Sequence, residues 1–202
     1  MACDEGAAYR MRASRPGQSA LLLLDAIEIL RRENCDYLII GAFALSVHGV
    51  VRASRDADAL LRISLSGIKK LRHAFEVAGF GVALRQGDAD DPIPTMLVLS
   101  DAHGNQVDLL GGLRGLDPKA FSRGIDVPFL GDTLRFVGRE DFIAMKCFAE
   151  GPQDLLDAQD AYRRAEGPLD LDLMRRIAHR FGRNAADRLE EILSSESSEG
   201  TR

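Results

Sequence analysis

Apolar positions recur with helical spacing early in the chain. Leu21, Leu24, Ile27 and Leu30, with Leu23 and Ile29 beside them, predict a helix over residues 20–32 that Ser19 can cap. Tyr37-Leu38-Ile39-Ile40 is a short apolar run stopped by Gly41, the mark of a buried strand. A short helix over 42–48 follows and stops at Gly49; residues 57–63 form a second strand, and 66–78 an amphipathic helix stopped by Gly79. Three strands come next, over 81–85, 95–99 and 106–110, and the turn-rich Asp101-Ala102-His103-Gly104-Asn105 makes the last two a hairpin. Residues 111–124 read as a loop, and strands over 127–130 and 133–137 flank Gly131-Asp132, a second hairpin signal.

Beyond Arg139 the pattern turns helical: 140–150, then 152–165 with Pro152 as first residue, then 169–181 and 184–193. The fold class is therefore α/β (α+β): a mixed sheet with flanking helices, then a helical C-terminal part. The expected organisation is a flexible tail at 1–17, a core at 18–138, a helical part at 139–193 packed on that core, and a disordered Ser/Glu tail at 194–202.

Composition narrows the function classes. The chain has 202 residues, 46% apolar and 28% charged, an ordinary globular balance with enough core to need no disulfide or structural metal. A net charge of -5 argues against a strongly basic nucleic-acid sleeve while permitting a local basic groove. Cys3, Cys35 and Cys147 are odd in number and far apart, which reads as free thiols in a reducing cytoplasm. No apolar run approaches the roughly 20 residues of a membrane span, so the expectation is a cytoplasmic protein with no membrane partner.

The candidate chemistry lies in residues 41–61. Asp56 and Asp58 stand two apart at the start of a strand, so the pleat puts both carboxylates on one sheet face. Two such acids repel unless a cation sits between them, and hard oxygen ligands at this spacing suit Mg²⁺. Taken alone, Asp-x-Asp also fits a solvated acidic pair. Asp108 is a polar residue inside the apolar strand Val107-Asp108-Leu109-Leu110; a metal cluster explains it, as does an edge position or a hydrogen-bonded Asp. Gly41-Ala42 ends a strand and opens a helix, leaving free backbone N–H groups for an anion and aiming that helix N-terminus at the cleft of the acids.

These residues resemble the signature of polymerase-β-type nucleotidyltransferases: Gly-Gly or Gly-Ser, a short helix, Asp-x-Asp, and a third carboxylate on a later strand. Here the pattern is Gly41-Ala42, thirteen residues, then Asp56-Ala57-Asp58. His48-Gly49, Arg52, Ser54, Asp56 and Asp58 resemble the AbiEii-like branch, which includes abortive-infection and toxin–antitoxin toxins. The resemblance extends through Glu140 to Lys146 and Gly151 to Ala158, covering about residues 20–165.

It implies a metal trio of Asp56, Asp58 and Asp108 that is also catalytic. It implies a two-Mg²⁺ site, an NTP substrate bound by Gly41, Ala42, Arg52 and Lys146, and support from Asp154 and Asp157. It leaves open an acceptor that is a tRNA end, a protein or a small molecule, and it implies an antitoxin protein as partner. Two departures stand out: Ala42 replaces the second Gly or Ser, and Pro152-Gln153 replaces the basic residue before Asp154.

Several of these residues also have plainer readings. Lys146 fits a snorkelling surface lysine, Asp154 and Asp157 fit simple complements to a helix N-terminus, and His48 fits a core or capping histidine. Lys69, Lys70 and Arg72 fit a solvated helix face or an RNA contact. No Walker loop, dinucleotide fingerprint or Ser-His-Asp pattern is present.

Overall fold

The computed structural model describes residues 11–52, 54 and 56–199, with side chains described to Ser195. The first ten residues of the expected N-terminal tail, Ala53, Arg55 and residues 200–202 lie outside the described residues. The elements are α1 (Ser19–Arg32), β1 (Asp36–Ile40), α2 (Gly41–Val47), β2 (Asp56–Arg62), α3 (Leu65–Val77), β3 (Gly81–Gln86), β4 (Thr95–Ser100) and β5 (Gln106–Leu110). They continue with α4 (Ala120–Arg123), β6 (Ile125–Phe129), β7 (Asp132–Phe136), α5 (Arg139–Ala149), α6 (Pro152–Arg163), α7 (Leu171–Phe181) and α8 (Arg183–Glu199). The strands pair in both parallel and antiparallel fashion, so the α/β class with mixed pairing read from the sequence holds.

The chain separates into two compact units that cut across the linear boundary expected near residue 138. One comprises Met1–Tyr37 with Arg55–Gly112, the other Leu38–Ser54 with Leu113–Arg202. In the first unit β3, β4 and β5 pair antiparallel in succession, and β2 runs parallel to β5. Helix α1 contacts β2 and β5, and α3 contacts β3 and β4, so the helices cover one sheet face. Ala57, Ala59, Val107, Leu109, Leu97 and Leu99, all inaccessible to solvent, belong to that covered face. Burial of aliphatic groups there, at roughly 25 cal/mol per Å², is what fixes strand register. The pleat then leaves the intervening residues on the opposite face.

Residues 11–17, expected to be mobile, are tied down. Arg12 pairs with the fully buried Asp25 at 2.6 Å, and the Asn105 side chain donates to the Arg15 carbonyl while accepting the Gln18 N–H. The cap of α1 is Gln18 rather than Ser19: the Gln18 side-chain oxygen accepts from the N–H groups of Ser14 and Arg15. The Ser19 hydroxyl instead accepts from the Gln106 N–H.

In the second unit β1 pairs parallel with β7, and β7 antiparallel with β6. The β6–β7 turn falls one residue earlier than Gly131-Asp132 suggests. Leu130 and Gly131 both have positive φ, at 48° and 86°, matching the twist that two-residue hairpins prefer. Helix α5 packs against α6, α7 and α8. Helix α7 buries Met174, Ile177, Ala178 and Phe181, one stripe at 3.6-residue periodicity.

Two sequence expectations are corrected here. The 111–124 loop contains the single turn α4, held by Arg123, which pairs with the buried Asp141 at 2.7 Å and with Asp117 at 2.9 Å. Helix α8 runs to Glu199, beyond the 184–193 read from the sequence, because a Ser/Glu-rich stretch can continue a helix whose earlier turns are anchored by Leu189, Ile192 and Leu193.

Candidate active site

The acidic group belongs to the first unit. Asp56 and Asp58 alternate with buried Ala57 and Ala59, so both lie on the face away from α1 and α3. The parallel pairing of β2 with β5 sets Asp58 directly opposite Asp108 and Asp56 directly opposite Gln106. Four side chains, three of them carboxylates, thus occupy adjacent positions on one face. This parity is what the Asp-x-Asp spacing predicts for the first pair, and the register supplies the third acid. Asp56 is exposed, while Asp58 and Asp108 are half-buried.

Burial pushes the Asp108 carboxyl above its ordinary range. The Gln106 amide, donating at 2.9 Å, opposes that rise, the negative charge of Asp56 adds to it, and Arg85 counters it. Arg85 reaches the same face because it lies two residues beyond Ala83, which pairs with Val98, the partner of Asp108. Gln106 and Arg85 were missed in the sequence reading. Gln106 had a signal, since it stands two residues before Asp108 on the same strand; Arg85 had none without the strand order.

A cationic group belongs to the second unit. Lys146 on α5 contacts Asp154 at 2.6 Å and Asp157 at 2.9 Å, both on α6. Arg52 reaches Asp157 at 3.3 Å, and the Gln153 amide donates to the same carboxylate at 2.9 Å. Asp157 is 1% exposed, so it is held by three donors in place of water. The Lys146 ammonium also lies 5.6 Å from the centre of the Phe142 ring. The i, i+3 spacing of Asp154 and Asp157 places both on one helix face; Asp154 pairs with Lys146, and Asp157 with both Lys146 and Arg52. Gln153, one turn before Asp157, stands with Pro152 where the resemblance expects a basic residue just before Asp154.

Gly41 has φ +65°, a conformation that disfavours any residue with a Cβ, and it follows the extended Ile40 directly. The strand therefore ends and the helix begins at Gly41, as the sequence suggested, with Ala42 buried behind it. Ser46 donates to the Ala42 carbonyl at 3.0 Å, one turn back. His48 is a core residue: 2% exposed, its Nε2 lies 3.1 Å from the Val137 carbonyl and its ring packs against Phe142. Burial, reinforced by the Arg139 charge and opposed by the Val137 hydrogen bond, lowers its pKa to about 4. The thiols of Cys35 and Cys147 are pushed up by burial, to about 11 and about 12, which leaves both as inert thiols.

No family model matches the chain, and no curated protein matches it. Solved structures do. The antibiotic-resistance factor ANT(2'')-Ia in solution is 14% identical with a TM-score of 0.51, over 90% of this chain and 92% of that one. Its crystal structure with adenylyl-2''-tobramycin gives 14% and 0.50, over 91% and 99%. An antigenic nucleotidyltransferase-like protein from Paracoccidioides brasiliensis gives 15% and 0.54, over 91% and 88%.

The chain has the nucleotidyltransferase fold.

On this nucleotidyltransferase fold the acids can be tested as a metal site. Their oxygens are hard donors on adjacent positions of one face, and the charge of Asp56 adds to the rise that burial gives Asp108, a like-charge crowding that a divalent cation relieves. Among the described residues no three His, Cys, Asp or Glu side chains already converge as a ligand set. The donor type and backbone placement fit Mg²⁺. Among the described residues no helix is long and apolar enough to cross a membrane.

Proposed function

We propose that this protein is a Mg²⁺-dependent nucleotidyltransferase that moves a nucleoside monophosphate from an NTP to an acceptor hydroxyl. The observation that carries the reading is the register of β2 on β5, which pairs Asp58 with Asp108 on the face that also bears Asp56. These three residues would hold a two-ion site. Bound Mg²⁺ supplies charge neutralisation for phosphates and a lowered pKa for the attacking hydroxyl. Asp108 accepts the acceptor's hydroxyl proton; the new bond joins that oxygen to the α-phosphorus, and the bond to pyrophosphate breaks.

Arg52 and Lys146 serve as phosphate contacts, held in place by Asp157 and, for Lys146, by Asp154, which lowers the entropy lost when a ligand arrives. Gly41 and Ala42 offer main-chain N–H groups to the nucleotide. The motif His48-Gly49, Arg52, Ser54, Asp56, Asp58 supports the AbiEii-like branch, and with it a toxin-type role in the cytoplasm countered by an antitoxin protein. The acceptor class spans a tRNA end, a protein and a small molecule; the adenylyl-tobramycin complex of a fold neighbour supports the last.

The test is incubation of wild type and Asp58→Ala with labelled NTPs, Mg²⁺ and separate RNA, protein and small-molecule fractions of a cell extract. The expected result is label in one fraction, dependent on Mg²⁺ and on Asp58. A wild type that labels nothing, while titration calorimetry still detects NTP binding, supports a non-catalytic binding protein, the reading that Ala42 in place of Gly or Ser favours.

A further inference from the structure

Gln106 holds a distinctive place on the acidic face. It is the cross-strand partner of Asp56 and stands two residues before Asp108, so it is flanked by carboxylates across the sheet and along the strand. Its Nε2 donates to Asp108 Oδ1 at 2.9 Å. The orientation of this amide is fixed by chemistry: an ionised carboxylate only accepts, so the NH₂ group and not the carbonyl must face it. The Gln106 main chain is engaged separately, its N–H donating to the Ser19 hydroxyl. Side chain and strand are therefore separable by substitution.

We propose that Gln106 is a positioning residue of the acidic site: its amide pins one oxygen of Asp108, leaving Oδ2 for the cation or the acceptor proton. Three neighbouring carboxylates tend to splay apart, and a neutral donor between two of them restrains one without adding charge. A fourth acid there would deepen the repulsion, and an aliphatic residue would release Asp108 to other rotamers. Groups that orient a metal's ligands commonly govern its affinity about 10- to 100-fold.

The inference rests on the reading of Asp56, Asp58 and Asp108 as a cation site. The test uses the full chain and Mn²⁺ as probe, with binding followed by the loss of the free-ion electron paramagnetic resonance signal. Wild type, Asp58→Ala, Gln106→Met and Gln106→His are compared, each with its melting temperature. Met keeps the length of the side chain and removes the donor; His restores a ring N–H. Supporting results are about 10- to 100-fold weaker Mn²⁺ binding in Gln106→Met, unchanged melting, and partial recovery in Gln106→His. Wild-type affinity in Gln106→Met, with Asp58→Ala still impaired, overturns the inference and leaves the cation site standing. So does lost affinity accompanied by a matching fall in melting temperature without recovery in Gln106→His, which makes Gln106 merely structural. A wild type that binds no better than Asp58→Ala removes the cation site itself, and the inference with it.

Discussion

Removing Asp157 tests the cationic group most sharply. Asp157 is 1% exposed and accepts from Lys146 at 2.9 Å, Arg52 at 3.3 Å and Gln153 at 2.9 Å. Stranding a buried charge by deleting its partner costs about 3–5 kcal/mol. Neither cation is wholly stranded by Asp157→Ala. Lys146 keeps Asp154 at 2.6 Å, and the Arg52 side chain, 37% exposed, can turn to water. The expected loss is therefore below that range, at about 2–3 kcal/mol. Asp154 is 29% exposed and bonds only to Lys146 among these cations, so Asp154→Ala should cost about 1 kcal/mol or less. Urea unfolding at pH 7, followed by two spectroscopic probes, measures both. Lys146→Met in the Asp157→Ala background should cost less than it does alone, since the pair is already broken. Equal losses for the two aspartates, or an Asp157→Ala change under about 0.5 kcal/mol, a typical surface-substitution effect, would refute the assignment of Asp157 as the anchor of this group.

Four further outcomes follow from the geometry. Asp58→Ala should abolish Mg²⁺-dependent transfer with only a small change in melting temperature, because Asp58 is only half-buried; a large drop in melting would make Asp58 structural. His48 titrates near 4 when folded and near 6.5 when unfolded, so the unfolded chain binds the extra proton between those values. The His48 contribution is full above pH 6.5 and falls by about 3 kcal/mol as pH drops to 4; His48→Gln should flatten that part of a urea-midpoint profile. Gly41→Ala should cost about 1–2 kcal/mol in the same assay, since φ is +65° there; an unchanged midpoint would contradict that backbone conformation. Arg85→Gln should tighten Mn²⁺ binding, by a factor that shrinks between about 0.01 M and 0.15 M salt as screening grows, and an effect insensitive to salt would exclude a through-space charge.

Much of the molecule was legible in the order of its residues. The apolar run Tyr37 to Ile40, stopped by a glycine, gave a strand and the start of a helix, because only glycine takes φ +65° without strain. Period-two spacing put Asp56 and Asp58 on one face, and 3.6-residue spacing put Asp154 and Asp157 on another, since both are properties of local backbone geometry. What misled was equally local. Ser19 looked like a cap, yet its hydroxyl serves Gln106, and residues 11–17 looked mobile, yet Asp25 and Asn105 hold Arg12 and Arg15 among them.

The sequence by itself determined every element but α4, their amphipathic faces and the acid pair of β2, because each depends on residues a few positions apart. Only the tertiary structure decided that Asp58 faces Asp108, that Gln106 and Arg85 join the same face, and that Arg52 meets Asp157. Those pairs are brought together by sheet register and helix packing, which are set by burial summed over whole faces rather than by any neighbouring residue. The split into two discontinuous units has the same origin: β1 pairs with β7, nearly a hundred residues later, and no local pattern specifies that partner.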